Sequence, residues 1–319
     1  MPRQPRFYLA LAAALLFPIL AGCSHTITLL GEDCPGPGGW CPVTRDVAAH
    51  TWQYAQLSQN AYWEQAQDSD EYIDQLYVLP GDLKERFASA NDSTGFAYSL
   101  FDRFKDGRLV EVILVYRGTE GLRDWIFGNI LGRQAPRGMT IYRQVREGLD
   151  KAGYTDVPLT LAGHSLGGRI ADHVMKRLVR ENGALPPNLS SYMFNPNAGG
   201  AQLKEEGDWQ GAVHVSVSES GDIAGWVRAL SNDPQWDGYV IDCRKSMSPI
   251  ANHHMRQLAD CLTWVAALDS AAAKKSVERN ELPQPQSEQQ LAAQGAAGQG
   301  AVDGNKQETD EPEPLTAGA

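Results

Sequence analysis

The stretch LTLAGHSLGGRIADHV, Leu159–Val174, decides how this chain is read. The apolar run VPLTLAG leads into Gly163-His164-Ser165-Leu166-Gly167, and a different pattern follows. Leu166, Ile170, Val174 and Leu178 recur every four residues, while Arg169, Asp172, His173, Lys176 and Arg177 take other positions. That spacing predicts a helix with one apolar stripe laid against a sheet. A serine in a G-x-S-x-G strand-to-helix turn is held on a strained backbone, and the flanking glycines avoid clashes between strand and helix. Ser165 is therefore the candidate nucleophile. The competing reading is a glycine-rich connection that happens to contain a serine.

Working outward, FAYSLFDRF and LVEVILVYRG flank KDG, an Asp-Gly hairpin signal. The second run is almost continuous in Val, Ile and Leu, as expected of a strand covered on both faces. Helices are expected over Asp46–Gln65, Ile141–Ala152 and Ile250–Leu268, and strands at LSSYMFNP and AVHVSVSES. Strand and helix alternate, which predicts an α/β fold with a mostly parallel central sheet and helices on both faces.

A serine hydroxyl needs a base, and the base needs an orienting acid. Of the seven histidines, His253 and His254 follow a candidate acid and sit at a loop-to-helix junction near the end of the body. The others lie near the N-terminus, within the turn, or inside expected helices and strands. Asp222 stands just past AVHVSVSES, where the acid of a Ser…Asp…His order belongs. Glu219, Asp233 and Asp237 compete with it.

Both ends differ from the middle. MPRQPRFYLALAAALLFPILAGC has a basic start and an apolar run too short for a transmembrane span, so residues 1–22 read as a signal peptide. LAGC resembles a lipobox, which implies cleavage before Cys23 and a lipid on that cysteine. Ser24 in the next position favours the outer membrane of a bacterial envelope. Residues 23–45 read as anchor and Gly/Pro-rich spacer, 46–275 as the globular domain, and 276–319 as a disordered acidic tail rich in Gln, Ala, Gly and Pro. Of the net charge of -11, the signal contributes +2 and the tail -6, leaving -7 for the body. An acidic body without a basic stripe argues against nucleic acid as a partner. In an oxidising compartment the remaining cysteines suggest disulfides, Cys34–Cys41 and Cys243–Cys261 being the most local pairing. No CxxC pair or His/Cys cluster at ligand spacing suggests a metal.

VYRGTEGLRDWIFGNI, LAGHSLGGRIA, YMFNPNAGG and VSVSESGDIAGW occur in the order and approximate spacing of class 3 lipases, which have the α/β-hydrolase fold. The leading AQLSQNAY is also similar to the start of that family's domain, so the resemblance spans about Asp46 to Leu268. It implies backbone oxyanion donors at Thr119 and Leu166, with Arg117 bracing the first of these loops. It places a lid at LRDWIFGNIL, with Trp125, Ile126 and Phe127 as its apolar face. The family's His-Ser pattern becomes His253-His254 here, which favours His253 as base and leaves His254 as the alternative.

The resulting expectation is a lipid-anchored serine hydrolase cleaving carboxylic esters of lipids, without metal or organic cofactor. Its partners would be a lipid or ester substrate and the membrane that holds its anchor. The alternatives are a short-chain carboxylesterase without a lid, and a non-catalytic envelope lipoprotein using the fold for binding.

Overall fold

The computed structural model describes residues 26–29, 40–118, 130–196, 209, 211–223, 237–243 and 248–285. In chain order these form β1 (Thr26–Leu29), α1 (Pro42–Asn60), α2 (Trp63–Gln67), β2 (Leu83–Ala88), β3 (Tyr98–Lys105) and β4 (Arg108–Tyr116). There follow α3 (Ile130–Lys151), β5 (Leu159–His164), α4 (Leu166–Asn182), β6 (Leu189–Phe194), β7 (Val213–Glu219), β8 (Asp237–Ile241), α5 (Met255–Ala267) and α6 (Ala271–Arg279). The strands make one sheet in the order β1-β8-β7-β6-β5-β4-β3-β2. From β4 to β1 every pairing is parallel, whereas β2 and β3 are antiparallel.

The sequence explains the layers. Along β4, Val112, Leu114 and Tyr116 pack with Met139 and Tyr142 of α3 and Ile170 and Val174 of α4. Ile113 and Val115 point the other way, against Leu57 of α1. All five are fully buried, and each of the four aliphatic ones contributes roughly 1.5–3 kcal/mol relative to exposure. The hairpin expected at KDG joins β3 to β4, with Lys105 opposite Arg108. Asp106 and Gly107 both have positive φ, as a two-residue turn of this hand requires. On the α1 face, α5 and α6 complete the layer, and Leu258, Leu262, Val265 and Ala273 enter its core. The strand order, the parallel crossovers and the turn described below make this an α/β-hydrolase fold.

Four expectations change. The helix expected at Ile141–Ala152 runs instead over Ile130–Lys151 and contains Pro136. Gly138 lets α3 approach Ile170 of α4, and its carbonyl accepts the Tyr116 hydroxyl at 2.8 Å. The 23–45 spacer contains β1, whose TITL pairs with β8, and α1 begins at Pro42. The folded body also continues past Lys275: Ser276 is buried against Gln56, and Leu282 is buried beyond the end of α6. Finally, β2 and β8 are strands without an apolar alternation. β2 is a charged edge strand, a composition that discourages edge-to-edge pairing.

Cys243 and Cys261 are disulfide-bonded, with Cα atoms 5.9 Å apart, tying the segment after β8 to α5. Cys41 is also disulfide-bonded, and Cys34, its expected partner, lies outside the described residues. Among the described residues no helix is long and apolar enough to cross a membrane.

Candidate active site

The carboxyl ends of the parallel strands line up at one edge of the sheet, where Gly163 is level with Tyr116 and His164 with Phe194. Open α/β sheets bind ligands at this edge. Ser165 follows β5 directly, with φ 55° and ψ -120°, a conformation rare for a residue bearing a Cβ. Its amide donates to the Phe194 carbonyl at 2.9 Å, so the strain is held by sheet-like pairing. The glycines serve close approach. A Cβ on Gly163 would lie 2.5 Å from the Gly167 carbonyl carbon, and one on Gly167 would collide with the Tyr116 carbonyl.

The turn brings Ser165 to the two partners expected from sequence. Its Oγ is 2.9 Å from His253 Nε2, and His253 Nδ1 is 2.5 Å from Asp222 Oδ1. The carboxylate accepts only, which assigns the imidazole proton to Nδ1 and leaves Nε2 to accept the serine hydroxyl. Asp222 is wholly buried in the turn after β7, while the His253 side chain keeps 14% exposure.

His253 ends a single 3-10 turn, Ala251–His253, and His254 takes the N-cap position of α5. The ring of His253, rather than that of His254, lies between Ser165 and Asp222. Burial, then the neighbouring His253, pushes the His254 ring below its ordinary pKa. Of the competing acids, Glu219 accepts the Cys243 amide at 2.9 Å. Asp233 and the Asp237 side chain lie outside the described residues.

Leu166 opens α4, so its amide has no intrahelical acceptor and points with the helix's positive end toward the space beside Ser165. Thr119, Trp125, Ile126, Phe127 and Cys23 lie outside the described residues. Gly118, the residue before Thr119, is placed: a Cβ there would lie 3.1 Å from Ser165 Cβ. Arg117 is buried, contacts Glu64 at 3.2 Å and Gly95 O at 3.4 Å, and lies over the Tyr62 ring. It ties this end of β4 to α2 and to the loop before β3.

Two residues bear on the site that sequence reasoning had not assigned to it. His164 was visible only as a member of the turn, and Asn195 only as part of YMFNPNAGG. Both make contact with the turn that carries His253. Among the described residues no group of three or more His, Cys, Asp or Glu side chains is arranged to hold a metal ion.

No family model matches the chain, and no curated protein matches it. It is similar to solved structures of fungal lipases. For lipase II from Rhizopus niveus the identity is 18% and the TM-score 0.44, covering 58% of this chain and 77% of that one. For a triacylglycerol lipase from Penicillium expansum the values are 16% and 0.42, covering 56% and 72%. For the Rhizomucor miehei lipase propeptide complex they are 18% and 0.39, covering 56% of this chain and 62% of that one, so less than two thirds of that chain is spanned. At these values the likeness assigns no role to any residue.

Proposed function

We propose that the protein is a serine hydrolase that cleaves carboxylic esters of lipids through an acyl-enzyme. The observation that carries this reading is the chain of contacts Ser165 Oγ–His253 Nε2 and His253 Nδ1–Asp222 on a strained strand-to-helix turn. In the first half-reaction Ser165 Oγ attacks the acyl carbonyl carbon while its proton passes to His253 Nε2. Asp222 orients the imidazole and stabilises its cation. The carbonyl electrons move to oxygen, where the Leu166 amide, and the Thr119 amide by resemblance, would donate to the oxyanion. One such donor contributes about 3–4 kcal/mol to the transition state. Collapse expels the alcohol, which takes the proton from His253. Water, deprotonated by the same imidazole, then releases the acid and regenerates Ser165.

The same reading includes an acyl anchor on Cys23, an outer-membrane location, and an apolar lid at Trp125–Phe127 that favours lipid substrates. The test uses the full chain in detergent with added lipid vesicles. Wild type and Ser165→Ala are compared for labelling by a fluorophosphonate and for hydrolysis of p-nitrophenyl esters of increasing chain length. The expected result is labelling by wild type alone, and a loss of kcat in the variant of about 10⁶-fold. Rising kcat/KM with chain length supports a lipase, and a preference for short acyl groups supports an esterase without a lid. A folded wild type that neither labels nor hydrolyses any ester, with vesicles present, overturns the proposal.

A further inference from the structure

His164 belongs to the G-x-S-x-G turn by sequence, yet its ring serves the base rather than the nucleophile. It is buried, and both ring nitrogens have partners. Nε2 lies 2.7 Å from the main-chain oxygen of His253, and Nδ1 lies 2.8 Å from the Tyr62 hydroxyl. A carbonyl can only accept, so Nε2 carries the proton; Nδ1 then accepts from Tyr62. This tautomer is neutral. Burial, and next the proximity of His253, hold the ring well below its ordinary pKa, consistent with that form.

A second donor reaches the same peptide. Asn195 is fully buried with φ 41°, and its Nδ2 lies 3.2 Å from Asn252 O and 3.4 Å from His253 O. Its Oδ1 accepts the Glu219 amide at 2.8 Å. Asn252 in turn donates to Ser220 O at 3.2 Å. The Ala251–His253 turn is thus held through its main-chain oxygens to His164 at the end of β5 and Asn195 just beyond β6, and through the Asn252 side chain to Ser220 just beyond β7. These hydrogen bonds are separate from the two that the His253 ring makes.

We propose that His164, with Asn195 as the second donor, is a positioning residue that fixes His253 by holding its main-chain carbonyl. Tyr62 holds the His164 ring in the orientation and tautomer this requires. The carbonyl belongs to the base's own residue, so a turn of that peptide redirects the Cα–Cβ bond and displaces both ring nitrogens. A misplacement of about 1 Å can cost about 100-fold in rate. The consequence for turnover rests on the hydrolase reading above, whereas the geometric claim does not.

The test uses the full chain in detergent with two readouts. One is the downfield proton NMR signal of His253 Nδ1–H, identified by its loss in Asp222→Asn. The other is kcat and KM on a soluble short-chain p-nitrophenyl ester, per site titrated with fluorophosphonate. In His164→Leu the signal should broaden or disappear, and kcat should fall about 10–100-fold with little change in KM. His164→Gln, whose amide can donate from nearly the same place, should recover most of both. Asn195→Gly tolerates the positive φ and should weaken the signal with a smaller loss in kcat; Tyr62→Phe should do the same. An unchanged signal and unchanged kcat in His164→Leu overturn the proposal, as does a glutamine variant no better than leucine. If His164→Leu does not fold, an unchanged signal in both Asn195→Gly and Tyr62→Phe overturns it. If wild type proves inactive, the hydrolase reading fails and the NMR signal alone decides this one.

Discussion

Among the described residues two buried aspartates each meet an imidazole, and the two contacts do different things. His253 meets Asp222 at 2.5 Å and turns its other nitrogen toward Ser165 Oγ at 2.9 Å. His214 meets Asp172 at 3.2 Å, and its ring packs beside Trp209. Asp172 is shared further, with Arg169 at 2.8 Å and Lys176 at 3.2 Å. Burial pushes the Asp172 carboxyl up, but Arg169, His214 and Lys176 outweigh it and hold the group well below its ordinary pKa. One carboxylate orients an imidazole that faces a hydroxyl. The other holds the cationic side chains of Arg169 and Lys176 on α4 and meets His214 of β7. Proximity of His and Asp is therefore uninformative by itself; what the second nitrogen faces, and where it stands on the sheet, separates a candidate active site from a structural ion cluster.

The same substitution at the two aspartates should break this symmetry. Asp222→Asn should lower kcat about 10⁴-fold, close to 5.5 kcal/mol of transition-state stabilisation, because the His253 ring loses its preferred tautomer. Chemical denaturation and ester hydrolysis, measured together, should place nearly all of that effect on turnover. Asp172→Asn should do the reverse. It removes the carboxylate from a cluster containing two buried cationic side chains, and breaking such a pair costs about 3–5 kcal/mol of stability. Turnover per titrated site should stay within about twofold of wild type, since this cluster has no group at the reacting atoms. A large fall in turnover would join the two clusters and refute the distinction.

A smaller effect is expected where the two halves are fastened. The Cys243–Cys261 bridge closes a segment with a sequence separation of 18 and ties the end of β8 to α5. Replacing both cysteines by alanine should reduce stability by about 3 kcal/mol. The segment it closes includes His253, so hydrogen exchange over 248–254 should rise more than exchange around Asp172. Equal protection in both regions would show that the disulfide supports the fold without favouring the base.

These contrasts were unevenly visible in the sequence. G-x-S-x-G between an apolar strand and an amphipathic helix marked Ser165 because the strained turn has a local signature. Chain order offered Asp222 ahead of Glu219, Asp233 and Asp237 and narrowed the base to His253 or His254, between which only the resemblance favoured His253. His164 and Asn195 had no such mark, since their roles depend on a main-chain carbonyl that folding brings from far along the chain. Asp172 read only as a polar position outside the apolar stripe of α4, but its side chain is buried against His214 of β7. Among the elements, β4 was legible as a run buried on both sides, whereas β2 and β8 take their structure from strand neighbours rather than from apolar periodicity. The folded end at Leu282 was hidden by an alanine- and lysine-containing segment that gains its place through Gln56 and the α1 layer.

The gentlest contrast is in acid. His164 is held below its ordinary 6.5 by burial and then by the nearby His253. Its unfolded form therefore binds a proton at a higher pH than its folded form. Wherever the unfolded state binds more protons, stability falls as pH falls. His164 thus contributes a decline that begins as pH drops through about 6.5, with the same sign for the partly buried His173 and His254. Asp172 also has a depressed value, but its stabilisation is complete above its ordinary 3.8 and is lost only as pH falls toward its still lower folded value. Urea denaturation of wild type, His164→Gln and Asp172→Asn from pH 7.5 to 3 should resolve the two limbs. His164→Gln should flatten the decline that sets in below about pH 6.5, where the unfolded histidine carries a proton that the folded one lacks. Asp172→Asn should leave that limb and flatten the one below about pH 4, because it removes a carboxylate that protonates there only on unfolding. If His164→Gln leaves the upper limb unchanged, the His164 ring is not held neutral, and its assigned donation from Nε2–H to the His253 carbonyl loses the support of a depressed pKa.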